Sequence, residues 1–114
     1  MPTEVLKGTT PTLIIPIAGQ DWTKCTIYLS IVTAERQIIL DSDKLLVTCS
    51  EGTTSIAVLL SQGETLAMAS GKARGEVKAI SADGNVVGTY KFFFDVLPTD
   101  IPYIIKYKGG GRNG

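Results

Sequence analysis

The sequence contains no histidine. Its absence removes the commonest general base, the commonest metal ligand and every Ser-His-Asp or Cys-His mechanism. Carboxylates come next. Asp41 and Asp43 form a close pair, and paired carboxylates do acid-base work where a cleft sets their separation. They fall in Asp41-Ser42-Asp43-Lys44, however, where Asp is a favoured turn former. The same stretch fails as a calcium loop, because an EF-hand needs Gly at its sixth position and Glu at its twelfth. Here those positions hold Leu46 and Gly52.

Without histidine, a nucleophilic serine needs a lysine base. Ser70-Gly71-Lys72 sets the two too close in sequence, and strand alternation does not converge their side chains. Gly71-Lys72-Ala73-Arg74-Gly75 has glycines beside a lysine but not the G-x-x-x-x-G-K-[ST] order of a phosphate loop, so it reads as the solvated start of a strand. Gly109-Gly110-Gly111-Arg112 reads as a frayed terminus. Two cysteines, Cys25 and Cys49, are too few for a zinc site with its four ligands. Each reads as a small inward-facing hydrophobe. A disulfide between them needs Cα atoms within about 7 Å, which spacing alone leaves open. The expectation is a chain that is not an enzyme and has no catalytic residues, cofactor or metal site.

Charge and composition extend the exclusions. Eleven Lys+Arg balance eleven Asp+Glu. No basic excess or stripe stands ready to neutralise phosphates, so no nucleic-acid partner is expected. A hydrophobic share of 44 % against 19 % charged residues fits a packed core rather than a disordered chain. A length of 114 residues is that of one domain. The apolar runs at residues 13–17 and 92–94 fall far short of the roughly 18 residues that span a bilayer. Met1-Pro2-Thr3-Glu4 lacks the basic and apolar regions of a signal peptide. The expectation is a protein made in the cytoplasm, with no membrane partner.

The elements that position these residues are predicted to be strands, because apolar residues alternate and turn signals separate the runs. Leu13, Ile15 and Ile17 share a face of an opening strand. Pro11 and Pro16 cannot donate to a ladder and place that strand at an edge or at a switch of pairing. Trp22 covers one end of the core. Residues 24–33 turn Cys25, Ile27, Leu29 and Ile31 inward, and strands follow over residues 36–41, 45–49 and 53–60. Ser61-Gln62-Gly63-Glu64 fits a capping box and opens one short helix near residues 61–69, with Leu66 plugging the core. Residues 71–82 form a strand with small inward residues: Ala73, Gly75, Val77, Ala79 and Ser81. Asp83-Gly84-Asn85 is a hairpin signal. The return strand, residues 86–97, sets Tyr90, Phe92, Phe94 and Val96 inward, large against small, which keeps core volume constant. About seven strands and one short helix read as an all-β, immunoglobulin-like β-sandwich over residues 1–100. A C-terminal arm and flexible Gly-rich tail follow over residues 101–114.

Three segments carry a resemblance. Gly8-Thr9-Thr10-Pro11-Thr12-Leu13, Ser61-x-x-Glu64-Thr65-Leu66 and Ala79-Ile80-Ser81-Ala82-Asp83-Gly84-Asn85 occur in order across residues 8–97. In order and spacing they resemble small prophage proteins of gut Firmicutes related to the N-terminal domain of phage baseplate upper proteins. The resemblance implies a structural component of a phage tail tip or baseplate, located in the virion and partnered by other tail and baseplate proteins. Two departures stand out: the small interior of residues 71–82, and an end at Gly114 without a fibre or receptor-binding portion. What the resemblance implies is therefore the assembly domain alone.

Interface residues follow from strand parity. Tyr28, Val32, Ile80 and Phe93 point away from the core, and together they suggest a patch that another subunit buries. Tyr103, Ile104, Ile105 and Tyr107 form an apolar arm that either folds back along an edge strand or adds to a neighbouring subunit, and the assembly reading favours exchange. With its exposed sheet edges, the chain is expected to form a homo-oligomer. The alternative is a carbohydrate- or peptide-binding module using exposed aromatics such as Tyr28 and Phe93 as a stacking platform.

Overall fold

The computed structural model describes residues 3–34 and 36–106, without the side chains of Asp41 and Ser42. Its strands are β1 (Glu4–Leu6), β2 (Thr12–Ala18), β3 (Thr26–Thr33), β4 (Arg36–Asp41), β5 (Leu45–Ser50), β6 (Thr53–Leu59), β7 (Gly71–Ile80) and β8 (Val86–Leu97). A 3-10 turn, Ser42–Lys44, joins β4 to β5, and a helix α1 (Gln62–Ala67) joins β6 to β7. The order β2-β6-β5 makes one sheet and β1-β8-β7-β3-β4 the other. The molecule is a β-sandwich.

Alternation builds the interior. Leu13, Ile15, Ile56 and Val58 from one sheet meet Ile27, Leu29, Ile31 and Val77 from the other, all buried. β2 lies at a sheet edge, one of the two arrangements its prolines allow, and turns Leu13, Ile15 and Ile17 inward. Trp22 is buried at the turn before β3. The buried Thr54 hydroxyl accepts the Trp22 N–H at 3.0 Å and donates to the Gln20 carbonyl at 2.6 Å, so an inward polar group goes in with its bonds made.

Small faces large between β7 and β8. Ala73 pairs with Phe94 and Gly75 with Phe92, and the two rings stack at 6.2 Å between centroids. The hairpin turns through Gly84 at φ +88°, closed by Ser81 N–H to the Asn85 carbonyl at 2.8 Å and Gly84 N–H to the Ser81 carbonyl at 2.9 Å.

Two expectations change. An eighth strand exists: β1 pairs in parallel with the end of β8, Glu4 opposite Asp95 and Leu6 opposite Leu97, and buries Val5. Three residues are too few to show a period, and the partner lies at the far end of the chain. Second, the helix stops at Ala67, and Met68 takes an extended conformation. Met68 is thereby buried as the core plug, while Leu66 is only half-buried. Within the chain, residues 101–106 form no strand.

Candidate interaction surfaces

Tyr28, Val32, Ile80 and Phe93 all lie on the outer face of the five-stranded sheet, because each has the opposite parity to the buried residues of its strand. Pairing places them in rows. Phe93, Arg74, Val32 and Gln37 run across β8, β7, β3 and β4; Lys91, Glu76, Ser30 and Ile39 form the next row. Tyr28 sits one row further, opposite Lys78. Phe93 is 64 % exposed and Tyr28 43 %. Val32 and Ile80 are half-buried rather than free, and Val32 sits between the long side chains of Arg74 and Gln37 in its row. The charged residues of β7 separate Phe93 from Tyr28, so the four do not merge into one apolar patch. Ile39 belongs to this face and is 62 % exposed. The Ile38-Ile39 doublet hid it, since either residue could have been the inward one.

The other outer face carries a second set of exposed apolar residues, which the interface expectation does not include. Ile14, Ala57 and Leu46 make one row across β2, β6 and β5, and Leu59 lies nearby opposite Thr12. Leu46 and Leu59 are exposed at 65 % and 67 %. None of these three strands contains a charged residue. The signal was legible: each exposed residue falls between inward neighbours in an alternating run.

The arm leaves β8 at Leu97 and crosses α1. Gln62 holds it with two bonds, its side-chain amide donating to the Ile105 carbonyl at 2.7 Å and its oxygen accepting the Ile105 N–H at 2.8 Å. This is the bond pair a neighbouring strand would make. Gln62 stands at the start of a helix whose capping box, Ser61 with Glu64, is formed in both directions. Thr65 ties the same helix to the β1–β2 corner, accepting the Gly8 N–H at 2.9 Å and donating to the Thr9 carbonyl at 2.8 Å. The backbone of the arm is therefore held while Tyr103, Ile104 and Ile105 stay exposed. Tyr107 lies outside the described residues.

The titratable groups are dispersed. Asp83 accepts from the Ser81 hydroxyl and, at 3.2 Å, from the Asn85 amide; the Ser81 bond leads in holding its carboxyl below the ordinary Asp range. Asp21 is lowered in the same way, by the Thr23 hydroxyl first and the Thr23 N–H second. Both are turn residues. Cys25 and Cys49 are free and half-buried. Among the described residues, no group of three or more Cys, Asp and Glu side chains could hold a metal ion, and no helix is long and apolar enough to cross a membrane. Comparison with protein-family models, curated proteins and solved structures found no match for this chain.

Proposed function

We propose that this chain is a non-enzymatic structural component of a phage or prophage tail tip or baseplate, acting in the virion through interfaces with other tail proteins and with copies of itself. The observation that carries the assembly reading is the set of large apolar side chains left exposed on both outer faces and on the tethered arm. Exposed apolar groups of this kind are what a partner subunit buries. The phage setting rests on the three ordered segments of the sequence. We further read the sandwich as immunoglobulin-like, because β2-β6-β5 facing β8-β7-β3 corresponds to strands B-E-D facing G-F-C of such domains.

Mass spectrometry of particles purified after prophage induction tests the reading. The chain is expected among the virion proteins in amounts comparable to other tail components. Its absence from particles made while it is expressed in the cell overturns the assignment. The binding-module alternative draws on one observation: the exposed Phe93 ring borders a shallow hollow lined by Arg74, Glu76, Lys91 and Gln37. Specific binding on a glycan array that disappears in Phe93→Ala would favour that module instead.

A further inference from the structure

Among the described residues the sandwich has several free strand edges, and they differ in how well they are protected. Unpaired backbone N–H and C=O groups template the addition of another strand unless charge, proline, a bulge or shortness blunts them. β1 has three residues. β2 carries Pro16, which has no N–H. β4 begins with Arg36 and ends with Asp41. The stretch of β8 that β1 leaves unpaired contains Lys91. β5, Leu45-Leu46-Val47-Thr48-Cys49-Ser50, has no charge and no proline, and its pairing with β6 runs through all six residues without a register shift.

The core is also unfinished there. On the neighbouring β6, the inward Thr54, Ile56 and Val58 are exposed by 1 % or less, and at the opposite edge of the sheet Leu13 and Ile15 are fully buried. The inward Leu45, Val47 and Cys49 of β5 are all only half-buried. Beside them on the outer face stand Leu46 and Leu59, exposed by 65 % and 67 %.

We propose that β5 pairs antiparallel with β5 of a second copy of this chain about a twofold axis, joining two three-stranded sheets into one of six strands. The inference rests on the reading of the chain as an assembly domain and names one of its partners. A second copy is the occupant that the chemistry selects. A twofold axis sets each edge against its own reverse, and a strand with no charge places no like charges opposite each other when it does so. The whole sheet being uncharged, the joined outer face carries none either. Main-chain bonds would supply the attachment, and the flanking strand would cover Leu45, Val47 and Cys49.

Light scattering on the full chain tests the pairing across concentrations up to the millimolar range. The mass is expected to rise from 12.2 kDa towards twice that value. Leu46→Lys and Thr48→Lys, both at exposed outward positions, are expected to keep the circular dichroism spectrum and melting temperature and to weaken dimerisation at least tenfold. Ile39→Lys on β4 and Tyr103→Ser on the arm are expected to leave it unchanged. Hydrogen exchange of the unmodified chain gives a second readout that needs no variant, with β5 amides gaining protection as concentration rises. A chain monomeric at every concentration, a dimer indifferent to both β5 lysines, or a dimer lost in Ile39→Lys or Tyr103→Ser overturns the proposal. A monomer found in induced virions would sink the β5 pairing and leave the tail-component reading standing.

Discussion

Gly75 and Phe92 show how closely the two longest strands are matched. They face each other across β7 and β8, and a Cβ added at Gly75 would overlap the Phe92 ring. At Gly88 an added Cβ would come within 2.6 Å of Trp22 Cζ2. Gly75→Ala is therefore expected to destabilise the fold by about 1–3 kcal/mol through overpacking. At roughly 4–8 °C per kcal/mol for a domain of this size, thermal unfolding resolves that loss. Adding Phe92→Leu should recover part of it. An unchanged melting temperature in the single variant would refute this packing. Phe93, one residue away and exposed, is the contrast: Phe93→Ala should stay within about 0.5 kcal/mol.

The hairpin carboxylate Asp83 supplies a pH prediction at the same scale. Its folded pKa lies below its unfolded value, the Ser81 hydroxyl bond being the first cause. The stability it contributes is thus present above the unfolded pKa and fades as pH falls through the lowered folded one. Carbon-detected NMR titration should place the Asp83 midpoint below the ordinary Asp range, and Ser81→Ala should raise it. A midpoint at the ordinary value in the native protein would contradict the assigned bond.

At the scale of elements, the short helix does two jobs. Its end delivers Met68, the next residue, to close one end of the core, and through Gln62 it holds the arm. Ser61→Ala removes the hydroxyl that accepts the Glu64 N–H and should cost about 0.5–2 kcal/mol. Gln62→Ala should leave the melting temperature of the sandwich unchanged while the Ile105 amide exchanges faster with solvent, because both bonds to Ile105 are lost. Slow exchange persisting at Ile105 in that variant would mean that something other than Gln62 holds the arm. The capping box was legible because its residues are three apart. The prolines narrowed β2 to an edge or a switch of pairing, and Asp83-Gly84-Asn85 marked the hairpin. The Gln62–Ile105 clasp, spanning 43 positions, was not legible, and neither was β1, whose three residues show no period. Met68 plugs the core in place of Leu66 for a local reason: the chain straightens after Ala67, which helical spacing does not reveal.

At the scale of the whole molecule, the two outer faces differ in kind. The five-stranded sheet mixes exposed aromatics with Arg74, Glu76, Lys78 and Lys91. The three-stranded sheet is uncharged and, among the described residues, ends in an incompletely covered edge. Outside the Ile38-Ile39 doublet, parity foretold which residues point outward, but strand order alone decided which of them became neighbours. Tyr28 and Phe93 were thereby separated, and Ile14, Ala57 and Leu46 were brought into one row. The proposed function requires the molecule to be joined to other chains. Sedimentation velocity of the full chain, alone and mixed in turn with the purified products of the adjacent genes, tests it most directly. The expected result is a species heavier than 12.2 kDa, self-associated or mixed. A single boundary at the mass of the isolated chain in every sample, at all concentrations, would contradict the account.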